Sequence, residues 1–347
     1  MVAWMGEAGP AGHAVSEAAG RVGSVSELGE VVSSHVSRVV PHDGYLLTGY
    51  DPVTGARCFL ACENTYDARA RRRMDSEDAL GWTQSPVAEL IRGTCPVAVL
   101  GSGSSDERPQ VRRLHSIMAA DSYGSEMCIA LTQRGVTWGA LVLLRERGAR
   151  PFSAVEVARA AELAQPLALA VRRFVTGRPL RPRRIPFPPC VVFIGSSDEI
   201  TGVTAGGREA VRKLLPGVYP AGDRELFSFL WHITYTARRT GAPALTRAPT
   251  SQGWFSLQAQ LLDEGAAGDV VVTLQPAPAA ELLPALAQWY GISSRERMVI
   301  AQALEGRSAK QIARRLNLSP HTVNDHFKAV YRKTGVSGRE ELIACLS

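Results

Sequence analysis

The N-terminal part of the chain begins with helical spacing of its apolar residues. Residues 14–40 repeat valine and leucine at every third or fourth position, and Pro41 ends the pattern, which predicts a helix. Two short apolar runs then flank the turn sequence DPVTG at 51–55, and this arrangement predicts a β-hairpin. We expect residues 1–20 to form a disordered N-terminus.

Two further strands and a long helix follow. Residues 126–131 and 137–144 are short apolar runs separated by turn residues, which predicts a second strand pair. Pro151-Phe152-Ser153 precedes an alanine- and leucine-rich stretch that predicts a helix to about Val175. We therefore expect residues 21–176 to form one domain of the α+β class.

A joint rich in proline and arginine separates this domain from a second one. Residues 177–189 hold five prolines and four arginines, which predicts a stiff, extended linker. The pattern after it predicts a strand at 191–194, helices near 208–215 and 224–238, and a final strand pair at 254–262 and 270–275. Strands with helices packed on one side predict a second α+β domain over residues 190–276.

The last 60 residues show helical spacing only. Ser293 and Glu296 are spaced as a capping box at the start of one helix. A short helix at 309–316 follows, and Ser319-Pro320 then begins a longer one, because serine is a favoured N-cap and proline is accommodated at the first helical position. Two helices joined by a tight turn predict a helix-turn-helix within an all-α domain over residues 277–347.

Positive charge is concentrated in two segments of a chain whose net charge is +6. Residues 172–185 contain six arginines and no acidic residue, and residues 292–347 carry ten basic side chains against five acidic ones. Basic patches of this kind predict an anionic partner, and nucleic acid is the leading candidate.

The motifs of the last domain resemble the LuxR/FixJ-type DNA-binding domain. The residues that carry the resemblance are Ser294-Arg295-Glu296, Gly306, Ile312-Ala313, Leu316, Ser319-Pro320, Thr322-Val323, His326, Lys333, Gly335-Val336 and Arg339. The resemblance covers about 55 residues, roughly a sixth of the chain. It implies a four-helix domain whose third helix, residues 320–334, enters the major groove of double-stranded DNA.

The resemblance also implies which side chains contact DNA. Asn324 can pair with adenine, Lys328 can donate to guanine, and Asp325 can accept from cytosine. Asp325 departs from the basic residues common at its position, and it is either a discriminator between sequences or an ordinary surface residue. His326 either faces DNA or orients the helix. The expected DNA-binding set, with phosphate contacts included, is Lys310, Ser319, Thr322, Val323, Asn324, Asp325, His326, Lys328, Lys333 and Arg339.

The two upstream domains resemble sensory modules. The layout of residues 25–175, with a first helix, a DPxTG hairpin and a strand pair leading into a long helix, is similar to a GAF domain. The opening FIGSSDEITGV and the final strand pair of residues 190–276 resemble a PAS-type sensor. The GAF resemblance implies a small-molecule pocket over an antiparallel sheet and long flanking helices that dimerise. No cofactor is identified, and an unknown small-molecule ligand in either domain is the expectation.

Several polar or aromatic clusters upstream are expected to be structural. His42 and Asp43 lack a nucleophile or third metal ligand nearby, and Cys58 and Cys62 lie on one face of a strand. An aromatic helix carries Trp231, His232 and Tyr235, which we assign to the core. No HExxH, GxSxG, GxxxxGK[ST] or Cys/His metal spacing occurs, so we expect neither an enzyme nor a metal site.

The sequence therefore predicts a cytoplasmic, sequence-specific transcriptional regulator that acts as a homodimer on double-stranded DNA, with RNA polymerase as a further candidate partner. The longest stretch without a charged residue, 248–262, is fifteen residues long and too short to span a bilayer, so no membrane contact is expected. Two alternatives remain open for the upstream part. It is either a thiol-based redox sensor or enzyme-like GAF domain coupled to DNA binding, or a protein–protein interaction module.

Overall fold

Two antiparallel sheets and a set of C-terminal helices follow one another along the chain. The computed structural model describes residues 10–80, 95–101, 122–182, 187–214, 226–262 and 268–346, together with the single positions 93, 117, 118, 120 and 222. We call residues 10–176 the first unit, 190–276 the second unit and 279–346 the C-terminal unit. This order confirms a multidomain protein with two α+β parts and an all-α end.

The first unit has helices on both faces of a five-stranded sheet. Its elements are α1 (Pro10–Ala19), α2 (Val25–Ser37), β1 (Gly44–Tyr50), β2 (Arg57–Glu63), α3 (Ala68–Leu80), β3 (Val97–Gly101), β4 (Tyr123–Gln133), β5 (Val136–Glu146) and α4 (Ala154–Thr176). The strands lie in the order β2-β1-β5-β4-β3. Alternate residues such as Leu47, Met127 and Leu141 are fully buried in the core that this sheet shares with α2 and α4.

The expected hairpin is present and has a local cause. β1 pairs with β2 around the 51–55 turn, where Gly55 takes a positive φ of 70°. The Asp51 carboxylate accepts the backbone N–H groups of Val53 and Thr54, which closes the turn from within. The position of the hairpin therefore follows from five neighbouring residues.

The expectation of a disordered N-terminus is wrong for Pro10–Ala19. Helix α1 packs along α4, and the side chains of Val15 and Ala19 are fully buried. The helix expected over 14–40 is in fact two helices, because Ser24 interrupts the pattern and caps α2 by accepting the N–H of Glu27. Residues 1–9 lie outside the described part of the chain.

The second unit has its own sheet and core. Its elements are β6 (Cys190–Ile194), β7 (Ile200–Val203), α5 (Gly207–Leu214), a 3₁₀ turn (Ser228–Leu230), α6 (Trp231–Thr240), β8 (Ala244–Thr250), β9 (Gly253–Leu261) and β10 (Val270–Pro276). The strand order, β7-β6-β10-β9-β8, repeats that of the first sheet. Phe227, Phe255 and Val272 are buried where α6 packs on the sheet.

Two features of the second unit differ from the sequence prediction. Strand β8 is not predicted, because its pattern is broken by Arg247 and Pro249; proline is tolerated here since β8 lies at the sheet edge. The aromatic helix expected at 224–238 is a 3₁₀ turn followed by α6, and residues 224 and 225 lie outside the described part.

The C-terminal unit consists of α7 (Ala279–Tyr290), α8 (Ser294–Leu304), α9 (Ala309–Leu316), α10 (Pro320–Thr334) and α11 (Arg339–Leu346). The predicted capping box between Ser293 and Glu296 is present, and a second one joins Ser308 and Gln311. No helix in the described ranges combines the length and hydropathy of a membrane span.

Candidate nucleic-acid interface

Helices α9 and α10 form the predicted helix-turn-helix. Asn317 ends α9 in the left-handed conformation, and its N–H bonds to the carbonyl of Ala313, so the chain reverses within two residues. Ser319 then begins α10 by accepting the N–H of Thr322 at 3.0 Å. Both helix boundaries are therefore fixed by local hydrogen bonds.

A small apolar core sets the orientation of α10. Val323 and Phe327 are buried against Ile312 of α9 and Val299 of α8. Residues three or four positions apart lie on the same face of a helix, so the opposite face of α10 is directed to solvent. Asn324, Asp325 and Lys328 all lie on that exposed face, as expected from the sequence.

The exposed face carries a chain of polar contacts along one side. Asp325 lies between two basic groups, with Nδ1 of His321 at 2.9 Å and Nζ of Lys328 at 3.5 Å from its carboxylate oxygens. The side chains of His321 and Lys328 are 85% and 74% exposed, which leaves both accessible to a partner in the solvent. Asp325 therefore contacts the side chains of both His321 and Lys328, and this holds for either of the two roles expected of it toward DNA.

The start of α10 presents hydroxyl groups. The Oγ atom of Ser319 lies 2.9 Å from Oγ1 of Thr322, and both belong to the first turn, where unpaired N–H groups favour an anion. Lys310 is exposed near the start of α9, and His326 is half-buried on α10. These positions are compatible with the expected phosphate contacts.

Three residues of the expected set have internal roles. Val323 is fully buried, so it is wrong as a contact residue. Lys333 donates to both carboxylate oxygens of Glu296, at 2.6 and 2.9 Å, and so joins α10 to α8. Arg339 donates to the carbonyl of Arg307 and lies over the ring of Phe327, with 5.6 Å between the guanidinium and the ring centroid. The matching of motif residues does not separate structural positions from contact positions.

The Lys333–Glu296 pair is electrostatically favourable. Burial by itself would raise the pKa of Glu296, but the hydrogen bonds from Lys333 and from the N–H of Ser293 outweigh burial and leave this pKa below its usual value. A carboxylate held in this way remains charged at neutral pH and stabilises the contact between α8 and α10.

Three further basic groups of the unit are not in the expected DNA-binding set. Arg314 and Arg315 are exposed in the last turn of α9, and Arg332 is exposed near the end of α10. In the sequence they are visible only as basic residues in the last turn of each helix. Basic residues at this position also stabilise a helix by interacting with its dipole, so they are not specific evidence of DNA binding.

The upstream polar clusters have structural roles. His42 bonds through Nδ1 to the carbonyl oxygen of Val40 and through Nε2 to the hydroxyl of Ser33. Burial raises the pKa of the Cys58 thiol well above its usual value, and Cys62 accepts a bond from Arg71. A buried thiol of this kind is a poor nucleophile, so Cys58 by itself is not suited to thiol chemistry. No group of three or more potential metal ligands occurs within the ranges the structure describes.

The aromatic residues of α6 belong to the core, as expected. Trp231 and His232 are buried, and Tyr235 donates to Asp198 at 2.5 Å. Burial, together with the positive charge of Arg57, lowers the pKa of His232 to about 4. His232 is thus a neutral packing residue at neutral pH.

A cavity of about 1240 Å³ lies between the upstream units. One part covers the sheet of the first unit, where Glu126 is buried and accepts the hydroxyl of Tyr66 at 2.6 Å. Burial raises the pKa of Glu126, which favours its neutral form. Another part extends to the linker residues 178–182. The space is large enough to hold a small molecule.

Comparison with known sequences places the C-terminal unit in a family. Residues 291–346 match the sequence family described as bacterial regulatory proteins, luxR family. HTH-type transcriptional regulators of Mycobacterium bovis and Mycobacterium tuberculosis are 42% identical over 55 residues, which is 16% of this chain and 6% of each relative. The likeness to these proteins is therefore confined to the helix-turn-helix region and to a small part of their length.

Solved structures show a general likeness. Escherichia coli SdiA aligns over 96% of this chain and 94% of its own, with 13% identity and a TM-score of 0.38. The GAF domain of a phosphoenolpyruvate-protein phosphotransferase from Coxiella burnetii aligns over 46% of this chain and 88% of its own, with 15% identity and a TM-score of 0.33. Values at this level do not identify a ligand or a function. Because the sequence match and the buried helix-turn-helix scaffold coincide over the same residues, residues 291–346 form a DNA-binding domain of the type found in bacterial regulatory proteins of the luxR family.

Proposed function

We propose that the protein is a sequence-specific transcriptional regulator that binds double-stranded DNA through α10 and senses a small molecule through its upstream units. The observation that carries the proposal is the two-sided character of α10. Val323 and Phe327 anchor one face, while Asn324 and Lys328 are exposed on the other. A helix anchored in this way can place its outer face in a major groove without unfolding.

Base readout is assigned to the middle of α10. The amide of Asn324 has the donor and acceptor geometry that adenine requires, and Lys328 can donate to guanine. The contacts of Asp325 with His321 and Lys328 restrict how these side chains approach the bases. Asp325 thereby favours some base pairs over others, because it excludes the positions of His321 and Lys328 that other base pairs would require.

Phosphate contacts are assigned to the groups around this reading face. Ser319 and Thr322 lie at the positive end of α10, and Lys310 is exposed on the preceding helix. Arg314 and Arg315 add two exposed charges on α9. Such contacts fix the orientation of the domain and contribute affinity that does not depend on sequence.

The wider proposal concerns assembly and signal. A single helix-turn-helix reads one half-site, so we propose a homodimer on a two-fold related site, with RNA polymerase as a further partner, in the cytoplasm. The cavity between the upstream units supports a sensory role, because it has room for a small molecule and the polar residues over the first sheet are paired with one another, as in Tyr66–Glu126 and Arg57–Asp75.

The test begins with selection of preferred sites for the full-length protein from a pool of random DNA. Asn324→Ala should then weaken binding to the preferred site by roughly 1–3 kcal/mol and change binding to random DNA little. Lys310→Ala should weaken both alike and lower the salt slope by about one ion. Lys213→Ala, which removes an exposed lysine of the second unit, is the matched control and should change neither.

Two outcomes would contradict the proposal. If Asn324→Ala leaves the ratio of preferred to random binding unchanged at matched salt, α10 does not read bases. If footprinting shows one unpaired half-site at full affinity, the protein does not act as a dimer. Thermal unfolding of each variant provides the check on folding, since neither Asn324 nor Lys310 is part of the buried face.

A further inference from the structure

The cavity between the upstream units passes around the edge of the first sheet. β2 is the edge strand, and neighbouring residues of a strand point to opposite faces. Phe59 and Cys58 both line the cavity, so it has one part on each side of β2. We call the part on the side of α4, lined by Phe59, Phe174, Arg178, Arg181, Trp254 and Tyr290, the linker lobe.

The linker lobe offers cationic groups without close carboxylate partners. In the described part of the chain, no carboxylate oxygen lies within 4 Å of Arg178 or Arg181, and both side chains are exposed at the cavity wall. Arg178 is oriented by donating to the carbonyl oxygens of Val22 and Gly23, at 2.8 and 3.3 Å, and these bonds do not use all of its N–H groups. The remaining N–H groups of a guanidinium match carboxylate, sulfonate or phosphate oxygens.

Two carboxylates face these arginines from a longer distance. Glu27 accepts the N–H of Gly23 and the hydroxyl of Ser24. Glu341 accepts the N–H and hydroxyl of Ser337. The charges of Glu27 and Glu341 still act on Arg178 and Arg181, but neither carboxylate forms a direct ion pair with them, so guanidinium N–H groups remain open to an external anion.

The other four residues that define the linker lobe are aromatic. Phe59 and Phe174 pack edge to face with 5.7 Å between ring centroids. Trp254 of the second unit is half-buried, and Tyr290 of the C-terminal unit is buried in the same wall. A ligand for this lobe must therefore combine an anionic group with an aromatic or other apolar part, since an apolar wall leaves a purely polar ion poorly solvated.

The lobe is also connected to the DNA-binding helix. Leu180 lies between the two arginines in sequence, is 4% exposed, and donates its N–H to the carbonyl of Thr334 at 2.8 Å, in the last turn of α10. Next to it, a Cβ atom on Gly335 would lie 3.0 Å from Cα of Pro179, so the linker and the end of α10 are in close contact. Leu180 thus forms a direct contact between the segment that carries Arg178 and Arg181 and the end of α10.

We propose that the linker lobe binds a small anionic molecule with an aromatic or apolar part, and that its occupancy is transmitted to α10 through Leu180. The anion is held by Arg178 and Arg181, and the apolar part lies against Phe174 and Trp254. This inference rests on the proposed sensory function and gives it a site, a ligand class and a route to DNA binding.

The experiment uses two fluorescent probes with the full-length protein. 1-Anilinonaphthalene-8-sulfonate carries a sulfonate on an aromatic framework, and N-phenyl-1-naphthylamine has the same rings without charge. The sulfonate should bind the wild-type protein at least about tenfold more tightly than the neutral probe, because only the sulfonate can pair with the arginines.

The variants locate the binding site. Arg181→Glu should weaken sulfonate binding at least about tenfold and leave the neutral probe unchanged. Arg173→Glu, which makes the same change at an exposed position near the end of α4 outside the cavity lining, should change neither probe. Arg181→Gln removes the positive charge without adding a negative one, so it should weaken sulfonate binding by a smaller factor than Arg181→Glu. It replaces Arg181→Glu in the binding measurement if that variant does not fold.

Transmission is measured by hydrogen exchange. Saturation with the sulfonate probe should change the exchange rate of the Leu180 amide and of the last turn of α10 in the wild-type protein, and not in Arg181→Gln. An unchanged Leu180 amide in the saturated wild-type protein would overturn the transmission step. Equal sulfonate affinity in Arg181→Glu and Arg173→Glu, or equal affinity for the two probes, would overturn the site.

Failure of this inference is distinguishable from failure of the proposed function. If the preferred-site DNA binding of the wild-type protein is intact while the sulfonate fails these tests, only the linker-lobe site is overturned. If Arg181→Glu weakens DNA binding and not sulfonate binding, the linker arginines contact DNA phosphates and the site is overturned as well. If no preferred DNA site is selected, the proposed function fails whatever the probe affinities are.

Discussion

The two upstream units have the same strand order but differ in how they are joined to the rest of the molecule. In both sheets the first strand lies between the second and the last, and every pairing is antiparallel. The core of the first unit continues into the C-terminal unit, whereas the second unit has a core of its own. The same topology is therefore compatible with two different kinds of contact.

The first unit meets the DNA-binding unit through apolar packing. The ring of Trp138 on β5 lies 4.7 Å from that of Trp289 on α7, centroid to centroid. Arg172 covers Trp138 and donates to the carbonyl oxygen of Trp289 at 2.8 Å. Val330 of α10 is buried in the same continuous core. These contacts make α4, α7 and α10 parts of one packed assembly.

The second unit meets the first where α6 packs on α3 and where polar groups pair near the edge strands β2 and β8. Asp51 is fully buried and accepts both the backbone N–H and the guanidinium of Arg247, at 3.0 and 2.7 Å. Thr246 of the same strand donates to the carbonyl oxygen of Arg57. Contacts of this kind require matched geometry, so they specify one arrangement of the units.

The comparison shows that strand order alone does not determine coupling between units. Coupling depends on which side chains lie at the contact. An apolar contact such as Trp138–Trp289 makes the stability of one unit depend on the stability of the other. A buried ion pair such as Asp51–Arg247 determines how two units are oriented relative to each other. We expect a signal in the first unit to reach α10 more directly than one in the second unit.

The largest effect is expected from Trp289→Ala. Truncation of this fully buried side chain should lower the free energy of unfolding by about 5 kcal/mol, at the upper end for buried aromatic residues, and should separate the unfolding of the first and C-terminal units. Calorimetry measures both effects. Phe255→Ala, an equally buried change in the core of the second unit, should destabilise that unit without separating the other two. A single unchanged transition in Trp289→Ala would contradict the continuous core.

A somewhat smaller effect is expected from Asp51→Asn. The substitution leaves the guanidinium of Arg247 buried without its counter-charge, which should cost roughly 3 kcal/mol. Urea unfolding measures the loss. The control is Glu17→Gln, which removes an exposed ion pair with Arg21 and should cost less than about 0.5 kcal/mol. Equal effects of the two substitutions would show that the edge-to-edge contact does not hold the units together.

The second unit should lose stability on acidification because of His232. The pKa of His232 is about 4 in the folded protein, against 6.5 when it is unfolded, so the unfolded state binds more protons as pH falls through 6.5. Stability should therefore fall by about 2 kcal/mol between pH 7 and pH 5.

Unfolding of the second unit by urea at a series of pH values measures this slope. His232→Gln should remove most of the slope, while His321→Gln, at an exposed position, should leave it intact. If the slope persists in His232→Gln, another group is responsible for the pH dependence.

The smallest effect is expected from Lys333→Gln. Loss of the bonds to Glu296 should lower the stability of the C-terminal unit by about 1–2 kcal/mol. The slope of DNA affinity against salt should remain that of the wild-type protein, in contrast to Lys310→Ala. A salt slope lowered by about one ion would instead mean that Lys333 contacts phosphate.

The sequence by itself determined the local features of the protein. The capping box of Ser293 and Glu296, the start of α10 at Ser319 and the 51–55 hairpin are all predicted by the residue pattern, and the structure contains each of them. These features depend on hydrogen bonds between residues two to four positions apart. Because both partners of such a bond are neighbours in the chain, the helix-turn-helix and the exposure of Asn324 follow from the amino-acid sequence alone.

Only the tertiary structure decided which polar residues face inward. Lys333 pairs with a residue 37 positions away, and Asp51 pairs with one 196 positions away. The spacing of residues along the chain contains no information about such partners, so the internal roles of Lys333 and Arg339 could not be predicted. The packing of α1, the edge strand β8 and the linker lobe have the same origin, because each depends on surfaces that come together only when distant segments fold against one another.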